Sequence, residues 1–152
     1  MTQEEKQLLL KDLCGRLPYG VKCKWEHEYD GKTYTGGGVL CDIDHVKTPN
    51  GYRYWDCYFE DEGEDIPIEL VKPYLRPMSS MTEEEKEELF QLMGNGNDIQ
   101  RVDFYNSHFL DYRGLIEKGL AIEAPEGMYN INNNTDKNTR FNENLKFGLL
   151  EG

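Results

Sequence analysis

Between Tyr52 and Asp65 the chain sets aromatic rings and carboxylates side by side. In Tyr52-Arg53-Tyr54-Trp55-Asp56-Cys57-Tyr58-Phe59, a period of two puts Trp55, Cys57 and Phe59 on one face of a strand and Tyr52, Tyr54 and Tyr58 on the other. The loop that follows, Glu60-Asp61-Glu62-Gly63-Glu64-Asp65, carries five carboxylates among six residues. Aromatic faces attract lysine and arginine side chains through the ring quadrupole, and carboxylates nearby add to the attraction. Tyrosine hydroxyls also prefer a wet or hydrogen-bonded end, which favours partial exposure. The expected binding site is therefore Tyr52, Tyr54 and Tyr58, rimmed by Glu60, Asp61, Glu62, Glu64 and Asp65. The structural alternative is a tyrosine face packed beneath a helix.

Other reactive residue types read as structural. Asp61, Gly63 and Asp65 alternate as calcium ligands do, but Ile66 and Lys72 stand where an EF-hand needs glycine and glutamate. Asp42 and Asp44 share one side of a strand, and nothing in the spacing brings His27 or His45 to them, so they read as exposed strand polars. Gly36-Gly37-Gly38 lacks the lysine and hydroxyl residue of a phosphate loop and reads as a bulge or bend. The four cysteines contain no Cys-x-x-Cys pair. Cys23, Cys41 and Cys57 fall on inward strand positions and read as buried free thiols. His108 reads as serving a local turn. No catalytic residue, metal ligand or cofactor is expected.

The partner's charge follows from composition. The chain has 152 residues and a formal charge of −12. In segment 130–152, three acids balance three bases, so the whole excess lies on residues 1–129. Such a surface repels phosphate backbones and anionic membranes and suits a basic protein surface or a cationic side chain. The polar, acidic N-terminus and the absence of a long apolar run point to a cytoplasmic protein.

The elements that position the aromatic strand read as follows. Thr2 with Glu5 is a capping box for a helix from about Gln3 to Cys14, stopped by Gly15. Strands are expected over Val21–Tyr29, Val39–Asp44, Tyr52–Phe59 and Ile66–Leu75, joined by turns at Asp30-Gly31 and Thr48–Gly51. Thr82 and Glu85 repeat the capping grammar for a helix from Glu83 to Met93. A short strand over Ile99–Tyr105, a third helix capped by Asn106 or Ser107 and ended at Gly119, and an extended piece at Leu120–Ile122 complete the reading. The fold class is α+β: a small curled antiparallel sheet or SH3-like barrel, preceded by one helix and followed by a small helical α/β appendage. Residues 1–78 form the β-module with its helix, 79–129 the appendage and 130–152 a disordered or loosely attached tail.

Two segments carry a resemblance: Val71–Thr82, reading VKPYLRPMSSMT, and Asp111–Ala121, reading DYRGLIEKGLA. They resemble the uncharacterised proteins common in gut Bacteroidales genomes and in their phages and mobile elements, a likeness that implies origin and compartment only. Gly38-Val39 with Ile43-Asp44, Tyr58–Asp61, Ile66–Glu69 and Leu75–Pro77 is similar in strand order to SH3-like barrels of the Tudor type. The function expected is a non-enzymatic interaction protein that binds a basic or cationic partner. An acidic mimic of nucleic acid that blocks a nucleic-acid-binding protein is the alternative, and an unrecognised enzyme or metal-binding protein the third class.

Overall fold

Local capping chemistry starts each helix. The Thr2 hydroxyl accepts from Glu5 N at 3.0 Å and the Glu5 carboxylate from Thr2 N at 2.9 Å. This box opens helix α1, Gln3–Arg16. The helix passes the expected stop at Gly15, because Arg16 reaches back one turn to Asp12 at 2.8 Å and both side chains are fully buried. Thr82 with Glu85 opens α2, Glu83–Asn95, in the same way. Residues 1–60 and 62–129 are described by the structure, a computed structural model; Asp61 and the expected tail, 130–152, lie outside the described residues.

The sheet is built on one long strand. Strand β1, Lys22–Tyr29, turns at Asp30-Gly31 into β2, Lys32–Lys47, which runs unbroken through the three glycines. Its first half, Lys32–Val39, pairs with β1, and its second half, Leu40–Lys47, pairs with β3, Arg53–Phe59. Gly37 makes that change of partner possible. Its φ is 153°, and a Cβ there would lie 2.2 Å from the carbonyl oxygen of Cys23. At Gly36 the Trp25 ring crosses so closely that a Cβ would meet it at 2.6 Å.

The remaining strands complete an open six-stranded sheet. Strand β4, Asp65–Pro67, pairs with β3; a 3-10 turn at Ile68–Leu70 leads to β5, Val71–Leu75, which pairs antiparallel with β1. Strand β6, Ile122–Glu123, adds to β5 in parallel, giving the order β4-β3-β2-β1-β5-β6. With its helices this is an α+β fold. The single strand expected over Ile66–Leu75 is thus two strands parted by the turn.

The C-terminal part departs from the sequence reading. Asn97 and Gln100 form a third capping box, which opens α3, Asp98–Ser107, where a strand was expected. The helix expected after Ser107 is instead a run of turns. Phe109 has a φ of 57°, which no α-helix admits, and the Asp111 carboxylate takes the amides of Leu115 and Ile116 at 2.8 and 3.0 Å.

Residues from both ends of the chain share the core. Leu9 and Leu13 of α1 pack with Val21, Leu40, Cys57, Phe59, Val71 and Leu75 of the sheet region, and with Phe109 and Leu115. Leu89, Phe104 and Leu110 form a second cluster. Among the described residues no helix is long and apolar enough to cross a membrane.

Cys23 and Cys57 are buried as the alternation implies, but Cys41 is exposed. The cause is a register shift between Leu40 and Asp42, a bulge that costs β2 one step of its inward–outward alternation. Burial pushes the Cys57 thiol up to about 12, with the Asp56 charge a smaller cause.

Two outcomes follow from this geometry. Gly37→Ala should destabilise the fold by about 2–4 kcal/mol in denaturant melts, through the clash with the Cys23 carbonyl and the strained φ. Under native conditions a thiol reagent should modify Cys41 readily and leave Cys23 and Cys57 unreacted until the protein unfolds.

Candidate cation-binding site

The register of β2, β3 and β4 decides which side chains meet. Asp42 pairs with Tyr58, Asp44 with Asp56 and Val46 with Tyr54, while Tyr58 pairs with Asp65 and Asp56 with Pro67 on the other side. Partners across an antiparallel ladder point to the same face. Tyr58 therefore stands between Asp42 and Asp65, with Asp56 next to it along its own strand and Asp44 on the diagonal. Four aspartates surround one tyrosine ring.

Their environments differ. Asp42, Asp44 and Asp65 are exposed and Tyr58 is half-buried, whereas Asp56 is only 2% exposed. The Asp56 Oδ2 atom is buried and receives no hydrogen bond among the described residues. Burial, a hydrogen bond shared with Asp65 and the charges of Asp65, Glu69 and Asp44 raise the Asp56 carboxyl to about 6. Partial burial, and then the charges of Asp65, Asp44, Asp56 and Asp42, raise the Tyr58 hydroxyl as well. Glu69 borders the group and is bound by Lys6 of α1 at 2.6 Å. The Lys6 hydrogen bond and charge outweigh the effect of burial and hold the Glu69 carboxyl below its usual value.

The residues singled out in the sequence do not gather in one place. Tyr54, Tyr58 and Asp65 lie on the face of the aspartate group. Tyr52 and Tyr54 stack on each other at 5.9 Å, Tyr52 being 61% exposed. Glu60 and Glu64 are exposed, and Asp61 lies outside the described residues. Glu62 turns toward the other half of the sheet, accepting from the Trp25 indole at 2.8 Å and from Gly37 N at 2.9 Å.

Asp42, Asp44 and Asp56 join the site through register, which residue types do not encode. The one local signal is Asp42-x-Asp44 on a strand beside an aromatic strand that carries its own aspartate. No histidine joins them. His45 stacks on Trp55 at 4.3 Å on the opposite face, His27 stacks on Tyr29 at 6.5 Å, and His108 packs on Phe104 at 4.3 Å. Among the described residues no three of His, Cys, Asp and Glu are disposed to hold a metal ion.

A cavity of about 450 Å³ lies elsewhere, lined by Arg76, Ser80, Glu123, Glu126 and Tyr129 among others. Its guanidinium is committed: Arg76 binds both oxygens of Glu85 at 2.8 Å and the carbonyls of His108 and Ser80 at 3.1 Å.

The raised Asp56 carboxyl fixes the sign of a stability effect. A group whose folded pKa exceeds its unfolded one stabilises the fold below the unfolded value and loses that contribution as pH rises through the folded value. Asp56→Asn keeps the shape without the charge. It should therefore be more stable than the parent near pH 7.5, by on the order of 1–2 kcal/mol, with the difference closing toward pH 4 in parallel urea melts.

The chain matches no family model, no curated protein and no solved structure.

Proposed function

We propose that the chain is a binding module whose Tyr58 face docks a cationic side chain presented by a basic partner protein. The observation that carries this reading is Asp44 directly opposite Asp56, with Asp42 and Asp65 flanking Tyr58. Like charges facing each other across a ladder destabilise it by roughly 0.2–1 kcal/mol. Departures from local consistency of this kind concentrate at functional sites. An ammonium or guanidinium over Tyr58 relieves the repulsion and gains about 0.5–1 kcal/mol from the ring at an exposed position.

The architecture supports the same class of function. One bent strand shared by two ladders, a 3-10 turn before β5 and the run β4-β3-β2-β1-β5 accord with an SH3-like module. The exposed aspartates would chiefly speed encounter with a basic partner, an effect that salt weakens.

A labelled peptide of alternating glycine and lysine tests the reading, with a glycine–glutamate peptide as control. Asp42→Asn/Asp44→Asn should weaken binding of the lysine peptide about tenfold, a loss near 1.4 kcal/mol. Glu84→Gln/Glu87→Gln removes the same charge from α2 and should change affinity by less than about twofold. Equal losses in the two variants would mean attraction by net charge alone and end this proposal.

A further inference from the structure

A buried carboxylate oxygen without a donor costs several times what a formed hydrogen bond gains, so Asp56 calls for an explanation. Among the described residues, titratable groups share its face or bear on its charge from four elements. They are Asp42 and Asp44 from β2, Tyr54 and Tyr58 from β3, Asp65 from β4, and Glu69 from the turn after β4. The nearby Lys6 of α1 is committed to Glu69 at 2.6 Å. No other cation is paired with these carboxylates among the described residues.

Asp65 stands opposite Tyr58, on the diagonal from Asp56, and it and Asp44 add their charge to the effect of burial on the Asp56 carboxyl. A buried carboxylate among like charges stays ionised only at a cost, and a proton on Asp56 removes that cost. The same relief would come from a positive charge placed between Asp65 and Asp44, above the buried Asp56.

Resting on the reading that this face takes a cation, we infer that a proton and the partner's cation are alternative occupants of the site, so that docking expels the proton held by the buried Asp56. The step is a simple exchange. The Asp56 carboxyl O–H bond breaks, its proton passes to water or buffer base, Asp56 becomes ionised, and the ammonium or guanidinium supplies the positive charge that the proton took away. The raised Asp56 carboxyl, about 6, puts the exchange between mildly acidic and neutral pH. Binding is thereby weak in acid and strong at neutrality, although the lysine of the partner stays charged throughout.

The experiment uses the full chain and the glycine–lysine peptide between pH 5 and pH 7. Affinity of the parent should rise about tenfold over that interval, and calorimetry at pH 6 in buffers of different ionisation enthalpy should report release of about half a proton per peptide bound. Asp56→Asn should bind with a nearly flat profile and release none. A flat profile in the parent, or a slope that survives unchanged in Asp56→Asn, would overturn the exchange while leaving the docking reading intact. A peptide that binds at no pH would sink both.

Carboxyl-carbon NMR of the unliganded chain gives an independent check. Asp56 should titrate near 6, above the ordinary aspartate range, and a value near 4 would refute the held proton even where peptide binding holds.

Discussion

The carbonyl of Cys23 occupies the space that any side chain at position 37 would need, and the rest of the sheet follows from that contact. Because Gly37 tolerates it, β2 continues as one strand and serves two partners in succession. Glu62 fastens the bend by accepting from Gly37 N and from the Trp25 indole together, which also ties down the β3–β4 loop. The bulge at Leu40/Asp42 comes next in the chain. It reverses the parity of the strand, so that Asp42 and Asp44, not Cys41, share a face with Tyr58. The acidic face thus depends on two separate features of one strand, the bend that Gly37 allows and the bulge that follows it.

Two of the buried aspartates, Asp12 and Asp56, show how differently the chain treats the same side chain. Asp12 sits in the core with the Arg16 guanidinium on both of its oxygens and Arg113 3.5 Å away. The Tyr112 ring contacts both guanidiniums, at 5.5 and 4.9 Å. Among the described residues nothing comparable reaches Asp56, although Arg53 stands three residues away on its strand. Burying a charge is tolerable when it is paired and hydrogen-bonded and costly when it is not. Asp12 is satisfied from within the chain, whereas the Asp56 Oδ2 atom meets no donor among the described residues.

What was legible in the sequence was what short-range chemistry encodes. Thr2 with Glu5 and Thr82 with Glu85 announce α1 and α2, because a capping box is complete within four residues. The alternation in β1 and β3 revealed their inward faces, and the two helices with a curled sheet gave the α+β class. Asn97 with Gln100 is an equally local signal, but Asn97 closes the glycine and asparagine run Gly94–Asn97, which read as a loop, and the segment after it was expected as a strand over Ile99–Tyr105. Register was illegible for a different reason. The meeting of Asp44 with Asp56 depends on a one-residue bulge and on pairing across a turn, and neither residue type nor spacing states it. For the same reason Glu62 read as part of a solvated loop, while its partners, Trp25 and Gly37, lie far back along the chain.

The Arg16 guanidinium also orders events in time. Beyond Asp12 it donates to the carbonyl of Leu110 at 2.7 Å and to that of Tyr105 at 3.4 Å, partners that lie 94 and 89 residues further along. During synthesis α1 emerges before these two acceptors, carrying its capping box and its Asp12 partner and able to coil. Two of the guanidinium's four bonds then wait for chain that does not yet exist, and burying it sooner leaves those donors unmet. The full seat of α1 is thus complete only once residue 110 has been made.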